Sequence, residues 1–378
     1  MNKSLLSKNY ILTVVSATFF YISAFMLNTV VVRFITDNGH SSTLAGVVAS
    51  AFTLASFATR PVWGWLCDKK GRKIIYLSGA SLCTAAVTLL FVNAGIFMLT
   101  VSRVLLGIGY SALTTAGGTM VCDISPKEKL QQGIAIYGVT NVLSQAVAPV
   151  AALWLYKIDF IWVVVASAVG CAVVTFTVLF VKYNENDVID TERQFSFCYK
   201  PSLPAAYTII FFAMATSSVN SFIPLLAQQR LLTADSLFFV VSALFLLITR
   251  LLNKKLVSKF GNISLFYIGG IIYIASFAIL SVAHRNIFLL VSASLYGTGA
   301  GFIHPVVNTA AVKDCSSADR GLATGTFMMS QDLGMAVGAF LWGTISNSAG
   351  FTAVYITVVI LLLVMMYIFK KVLKSKLC

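Results

Sequence analysis

The chain has 378 residues, of which 58% are hydrophobic and only 11% are charged, and its mean hydropathy is +0.88. Soluble domains carry about 25% charged residues, so this composition excludes a soluble protein. The 27 Lys and Arg residues against 13 Asp and Glu give a net charge of +14, which on its own would favour a nucleic-acid-binding protein.

Runs of about 20 apolar residues, the length that crosses a bilayer core as a helix, recur along the chain. The predicted fold class is therefore an all-α polytopic membrane protein with twelve transmembrane helices. The predicted spans are 10–32, 43–67, 74–92, 96–121, 133–156, 160–181, 203–228, 236–257, 263–283, 287–311, 321–346 and 351–369. The longest connection, 182–202, separates a predicted N-terminal six-helix bundle at 1–181 from a C-terminal one at 203–378 that ends in a short basic tail.

The placement of the basic residues predicts the orientation in the membrane. With the N-terminus inside, most Lys and Arg residues fall in cytosolic segments, and a bias of this kind sets orientation during insertion. We expect a multi-pass protein of the plasma membrane with both termini cytosolic. The basic excess is then a topology signal, and no nucleic-acid partner is expected.

The segment Gly64–Lys73 carries mixed charge between two apolar runs, and it has an echo 190 residues later. Four residues are retained and three are replaced. The retained pairs are Arg60 and Arg250, Leu66 and Leu256, Lys69 and Lys259, and Gly71 and Gly261; the replaced ones are Asp68 by Ser258, Arg72 by Asn262 and Gly64 by Lys254. Repetition at half the chain length indicates a duplicated unit.

Further helix pairs repeat in the same register. The matching sets are Leu105, Gly107 and Gly109 with Leu295, Gly297 and Gly299; Asn141, Ser144 and Ala148 with Gln331, Gly334 and Gly338; and, at an offset of 192, Phe19, Phe20 and Asn28 with Phe211, Phe212 and Asn220. Four helix pairs in register support a duplication of six helices.

On these residues the chain resembles the major facilitator superfamily over essentially its whole length, and within it the proton-coupled drug and metabolite efflux branch. Gly64–Lys73 is similar to that family's signature between helices two and three. Leu99–Ala112, with Arg103, Gly107 and Gly109, is similar to its fourth-helix motif. The resemblance implies two pseudo-symmetric six-helix halves that rock around a central cavity.

The resemblance also implies a cytosolic latch. Asp68 would face the positive end of the eleventh helix near Gly321, Arg72 would pair with Asp123, and Gly64 would allow close helix packing. The predicted gate residues are Arg60, Gly64, Asp68, Gly71, Arg72, Lys73 and Asp123. The alternative is a tight cytosolic turn without a gating role. Because the echo lacks Asp68 and Arg72, the latch is expected in the N-terminal half alone.

Apart from Arg and Lys residues near the span ends, three ionisable residues within the predicted spans are candidates for proton coupling. Asp332 is the one acidic residue deep in a span, and a buried carboxylate favours its neutral form, so it is the candidate proton carrier. Arg103 is predicted either to assist that proton or to pack against the first helix. His304 can titrate near neutral pH, or it serves as a structural hydrogen-bonding group; a helix–helix contact is likewise the alternative for Asp332.

Uncharged amides in the spans are candidates for a substrate cavity, because they bind polar groups without requiring a charge. The candidates are Asn28, Asn220, Asn141, Gln145, Gln331 and Asn308. Asn28 and Asn220 rank first because the duplication retains them. The alternative is that these amides join neighbouring helices.

Small residues predict helix packing at Gly107, Gly109, Ser144, Ala148, Pro149, Gly334 and Gly338. Ser144, Ala148 and Pro149 occupy the place of the family's fifth-helix antiporter motif. Its glycines have become Ser144, Ala148 and Ala152, which weakens the inference of export.

The sequence contains no phosphate-binding loop, no nucleophile elbow and no metal cluster. We therefore expect no enzyme activity, no metal and no cofactor other than coupling protons. The prediction is a monomeric secondary transporter of small organic molecules, an efflux antiporter more than an importer. The open alternatives are proton symport or facilitated import, and a non-transporting receptor on the same fold.

Overall fold

The computed structural model describes residues 7–92, 95–126, 130–182, 195–312 and 320–373. The side chain of Asp68 and most of the predicted connection 182–202 lie outside the described residues. The described residues form ten α-helices and no strand. The helices are α1 (Lys8–Asp37), α2 (Ser42–Lys70), α3 (Arg72–Val92), α4 (Ile96–Ile124), α5 (Leu130–Tyr156), α6 (Phe160–Leu179), α7 (Leu203–Gln229), α8 (Asp235–Ser281), α9 (Asn286–Val312) and α10 (Arg320–Ile368).

Two of these helices contain a break. Gly261 in α8 has φ 76° and ψ 160°, and Gly350 in α10 has φ 76° and ψ 176°. Only glycine adopts such dihedrals without strain, so each residue turns the chain between two helical arms. The break at Gly261 falls between the predicted spans 236–257 and 263–283, and that at Gly350 falls between 321–346 and 351–369.

Eleven helical segments among the described residues are long and apolar enough to cross a membrane. The last of them, Leu322–Lys371, contains 50 residues and spans the break at Gly350. A bilayer core needs about 20 helical residues, so this segment has the length of two spans. The polytopic helical fold is confirmed, and the number twelve stays a prediction.

The connection after α2 is shorter than the sequence predicts. Residues 64–70 belong to α2, α3 begins at Arg72, and Gly71 with φ 95° alone lies between them. Lys69 and Lys70 occupy the last turn of α2, where cations interact favourably with the helix dipole. The expected charged turn at 64–73 is thus a one-residue reversal at glycine.

The chain forms two compact units. The first comprises Met1–Leu27 and Leu54–Phe197, and the second comprises Asn28–Thr53 and Cys198–Cys378. Residues 28–53 join the second unit because α2 packs tightly on α10: a Cβ at Gly46 would lie 3.1 Å from Gly343 Cα. The predicted division at 182–202 stays a prediction.

In the first unit, α3 and α4 pack through two glycines. A Cβ at Gly109 would lie 2.8 Å from the carbonyl oxygen of Gly79, so neither position has room for a side chain. Ser102 Oγ on α4 donates to the carbonyl oxygen of Ala86 on α3 at 2.7 Å. The expected packing role of Gly109 is thereby located at the α3–α4 contact.

The second unit repeats this contact between the second arm of α8 and α9. A Cβ at Gly299 would lie 2.9 Å from the carbonyl oxygen of Gly269. Ser292 Oγ donates to the carbonyl oxygen of Ser276 at 3.1 Å. These four residues lie 190 positions after Gly109, Gly79, Ser102 and Ala86, so the duplication extends to individual packing contacts.

Other predicted packing residues lie at close contacts within one unit. A Cβ at Gly334 would lie 2.9 Å from Ala213 Cβ, and one at Gly338 would lie 2.9 Å from Met214 Cα, both on α7. Ser144 Oγ donates to the carbonyl oxygen of Thr140 at 2.8 Å. The remaining members are interior to their helices: Gly107 and Ala148 are buried, and Pro149 lies inside α5.

Candidate functional site

A polar cluster occupies the interior of the first unit. Arg60 on α2 is 4% exposed; its Nη1 donates to Thr114 Oγ1 at 3.1 Å and its Nη2 to Ser56 Oγ at 3.2 Å. The preceding residue, Thr59, also contacts α4, and its Oγ1 lies 2.8 Å from Ser111 Oγ. Arg60, predicted as a gate residue, is therefore a buried cation held by hydroxyl groups of α2 and α4.

Tyrosines extend this cluster towards α5. Tyr21 on α1 lies within interaction range of Tyr137, Asn141 and Arg60. Gln145 Nε2 donates to Asn141 Oδ1 at 2.5 Å. The two amides predicted for the cavity thus form one chain with a tyrosine pair. Tyr21 and Tyr137 were not among the predicted site residues, although both lie in predicted spans, 10–32 and 133–156.

A second cluster lies in the second unit. His304 Nε2 and Gln331 Oε1 are 3.3 Å apart, and the His304 ring contacts Phe327 at 5.4 Å and Phe212 at 6.0 Å between centroids. Arg250 on α8 interacts electrostatically with His304. The structural alternative for His304, a hydrogen bond across helices, is therefore present as its contact with Gln331.

The two clusters occupy duplicated positions. Four residues of the first have a counterpart in the second 190 positions later. The pairs are Arg60 and Arg250, Thr114 and His304, Tyr137 and Phe327, and Asn141 and Gln331. The same backbone sites therefore hold a hydroxyl- and tyrosine-rich cluster in one unit and an imidazole- and phenylalanine-rich cluster in the other.

The predicted proton-coupling residues lie in different units. Arg103 on α4 is 3% exposed in the first unit, and Asp332 on α10 is 8% exposed in the second. Asp332 follows Gln331 directly, so it lies next to the His304 contact along α10. Among the described residues, it is the one buried carboxylate.

Three further amides were predicted for the cavity. Asn28 and Asn220 are half-buried, on α1 and α7, and both belong to the second unit. Asn308 lies one turn after His304 on α9, and its Oδ1 is buried with no hydrogen-bond partner among the described residues.

The predicted latch has one observed contact. Arg72 at the start of α3 and Asp123 near the end of α4 form an ion pair, as the resemblance implied. Both belong to the first unit, so this pair orders the end of one unit and cannot alone join two. Lys73 Nζ donates to the carbonyl oxygen of Leu179 at 3.5 Å, also within the first unit.

The surroundings of Gly64 differ from the close helix packing that was predicted for it. No described atom comes within 4 Å of a Cβ at this position, so the close helix approach predicted for it is not found among the described residues. An alanine would fit there. The contact predicted between Asp68 and the eleventh span involves a side chain that lies outside the described residues.

The sequence model of one family matches residues 13–316 and 205–376, and its description is Major Facilitator Superfamily. These matches cover most of the chain. The chain belongs to the major facilitator superfamily.

Relatives of this transporter are found in archaea and bacteria. An MFS-type transporter of Methanocaldococcus jannaschii is 22% identical over 326 residues, 82% of this chain and 84% of the relative. The staphylopine export protein of Staphylococcus aureus is 22% identical over 348 residues, 87% of each chain.

Solved structures agree with the fold. A POT family transporter in complex with 5-aminolevulinic acid has a TM-score of 0.84 at 14% identity, covering 97% of this chain and 96% of that one. The nucleoside transporter NupG has a TM-score of 0.76 at 14% identity, covering 98% and 100%. The protein is thus a multi-pass transporter of this superfamily.

In this transporter, one tight contact was not predicted from the sequence. Gly46 on α2 and Gly343 on α10 approach so closely that a Cβ at Gly343 would lie 2.9 Å from Gly46 Cα. Near the end of α1, Asp37 Oδ1 accepts a hydrogen bond from Gln228 Nε2 at 2.9 Å. Both contacts lie within the second unit, and the only sequence signal for the first was two glycines in long apolar runs.

Proposed function

We propose that the protein is a proton-coupled exporter of small organic molecules that works by alternating access in the cytoplasmic membrane. Asp332 carries the proposal, as the one buried carboxylate among the described residues. A charge in a membrane span is costly and marks pathways and proton sites. The relation to a staphylopine export protein at 22% identity supports the direction.

In the proposed cycle, Asp332 binds and releases the coupling proton. Its neighbour Gln331 contacts His304, so a change of charge at Asp332 acts on a helix that already bonds across to α9. Arg103 assists from the first unit through its buried positive charge. Protons are the coupling ion, no bound cofactor takes part, and the working form is a monomer with cytosolic termini and no nucleic-acid partner.

The ion pair between Arg72 and Asp123 serves as the part of the cytosolic latch that orders the first unit. It fixes the end of α4 against the start of α3. Because Gly71 directly precedes Arg72, this ion pair also restricts the orientation of the end of α2 relative to α3. In the proposed latch, Asp68 supplies the further contact that the family resemblance implies.

The decisive experiment compares wild-type protein with Asp332→Asn. Cells expressing each form are extracted, and compounds that the wild type expels are identified by mass spectrometry. One such compound is then added outside proteoliposomes that contain a pH-sensitive dye. For an antiporter, entry of the compound expels protons and the lumen becomes alkaline, and this response is absent in Asp332→Asn.

The matched control is Asp235→Asn, a carboxylate in the first turn of α8. It removes the same charge outside the buried cluster and is expected to keep the response. An unchanged response in Asp332→Asn would refute the proton-carrying role. Acidification of the lumen by the wild type would replace the antiport proposal by proton symport, the alternative that the altered fifth-helix motif leaves open.

A further inference from the structure

Arg250 has an unusual position for a cation. It lies in the first arm of α8, within a segment apolar enough to cross the membrane. The residue is half-buried, and its Nε is buried with no hydrogen-bond partner among the described residues. A guanidinium offers five donors and stays charged, so the Nε–H requires an acceptor that the described part of the chain does not supply.

The duplicated arginine shows what has been lost. Arg60 donates to the hydroxyls of Ser56 and Thr114. The residues 190 positions later are Leu246 and His304, so both hydroxyl acceptors of the first unit are missing in the second. The arginine itself is retained. An arginine that needed only internal partners would have kept them.

The surroundings of Arg250 favour an anion. His304 lies within electrostatic range, and its Nε2 is engaged with Gln331, so the imidazole is fixed beside the cation. The α8–α9 contact here is close, since a Cβ at Gly301 would lie 2.7 Å from Thr249 Cβ. The backbone that carries Arg250 thus belongs to a tightly packed helix pair.

We infer that Arg250 binds a carboxylate of the transported molecule, so that the substrates of this transporter are small organic carboxylates. A carboxylate is planar and accepts two parallel hydrogen bonds from a guanidinium, a geometry that lysine does not reproduce. It also neutralises the charge that is otherwise costly in a membrane span. The inference rests on the proposed transport function and names its substrate class.

The test uses the full-length protein in lipid nanodiscs and a small-molecule extract of the expressing cells. Half of the extract is treated with carbodiimide and methylamine, which turns carboxylates into neutral amides. Compounds retained by the protein are identified by mass spectrometry. We expect the wild type to retain carboxylates from the untreated half and none of their amides, and Arg250→Gln to retain about tenfold less or lower still.

Two further variants separate binding from folding. Arg285→Gln removes the same charge from an exposed connection and should retain the carboxylates as the wild type does. Arg250→Lys keeps the charge without the planar fork and should fall between. The melting temperature of Arg250→Gln should not fall, because no internal bond among the described residues is lost.

Retention of the amides, retention by Arg250→Gln, retention of compounds without a carboxylate, or retention of nothing would each overturn the inference. This measurement requires no transport. If the carboxylates are retained through Arg250 but no pH gradient moves them in proteoliposomes, the inference stands and the proposed proton-coupled function fails. If transport is proton-coupled but the substrates lack a carboxylate, the reverse holds.

Discussion

Arg60 and Arg250 occupy equivalent positions in the two halves of the duplication, but their chemical surroundings differ. Arg60 donates hydrogen bonds to two hydroxyls, whereas the buried Nε of Arg250 has no hydrogen-bond partner among the described residues. The contact between Gly79 and Gly109 in the first unit recurs as that between Gly269 and Gly299 in the second. The duplication has therefore preserved the scaffold and changed the polar groups it carries. Residues that differ between equivalent sites are the better guide to function.

A second difference concerns two glycines that have no glycine at the equivalent positions of the duplication. Gly46 and Gly343 touch within the second unit, while the residues at the corresponding positions are Ser236 and Leu153. The close approach has no duplicated equivalent. If alternating access requires this contact to open, a covalent link across it should stop transport.

The first prediction, with the largest effect, tests this point. In a background without native cysteines, Gly46→Cys with Gly343→Cys places one thiol on each helix at this contact. Because a Cβ at either position would lie 2.5 Å from a backbone carbonyl oxygen, α2 and α10 must separate slightly to hold the disulfide. Oxidation should reduce transport to background, and reduction should restore it. Uptake or efflux of an identified substrate in proteoliposomes measures the effect. Each single cysteine is the control, and full transport by the oxidised double variant would show that this contact does not have to open.

The second prediction concerns a variant that gives Arg250 the hydroxyl groups found around Arg60. Leu246→Ser with His304→Thr supplies Arg250 with the two hydroxyls that Arg60 has. A guanidinium that is satisfied internally should bind a carboxylate about tenfold less well, because hydrogen bonds to charged groups contribute about 1.5 to 3 kcal/mol. Mass spectrometry of nanodisc-bound carboxylates measures this.

For that swap, the control is Leu246→Ala, which alters packing without adding a hydroxyl. It should keep carboxylate binding. Equal loss in both variants would point to packing of α8 on α9 as the cause, and the difference between Arg60 and Arg250 would then have no bearing on the ligand.

The third prediction concerns a contact confined to the first unit. Arg72→Gln or Asp123→Asn breaks the ion pair, which is worth up to about 1 kcal/mol near a surface, or about fivefold in transport rate. The exchange Arg72→Asp with Asp123→Arg should recover part of the loss. In the second unit Asn262 replaces Arg72, so Asn262→Gln should leave the rate unchanged. A similar loss from Asn262→Gln would remove the asymmetry of the latch.

The sequence predicted the helical membrane fold, the duplication and the ion pair between Arg72 and Asp123. The fold was predicted from the length of the apolar runs, the duplication from the repeat offset, and the ion pair from a signature motif. Each of these signals depends on residues near one another in sequence or on a retained register. The same register located the packing glycine Gly109. These features follow from local physics and from repetition.

Other features depend on which side chains meet across helices. The bond of Arg60 to Thr114 and Ser56 joins residues far apart in the chain, and hydroxyls are too common in membrane helices to single out. Gly64 was expected at a close contact that the described residues do not form, because a motif specifies a residue type and not its neighbour. No sequence motif predicts the contact between Gly46 and Gly343.

The fourth prediction has the smallest effect and uses the two equivalent turns. Gly71 and Gly261 have φ 95° and 76°, and no described atom lies within 4 Å of a Cβ at Gly261. An alanine at either position meets the same backbone strain, and each Gly→Ala variant should lose about 1 kcal/mol of stability from that strain. Thermal unfolding in detergent measures the two losses, which should be similar.

Their effects on transport should differ. Gly71 directly precedes Arg72, so strain at this residue displaces the guanidinium from Asp123 and lowers the transport rate. Gly261 precedes Asn262, which has no such pair, and its variant should transport at the wild-type rate once differences in folded protein are corrected. Equal transport losses would mean that the rate follows stability alone, and the latch would then have no separate role in the first unit.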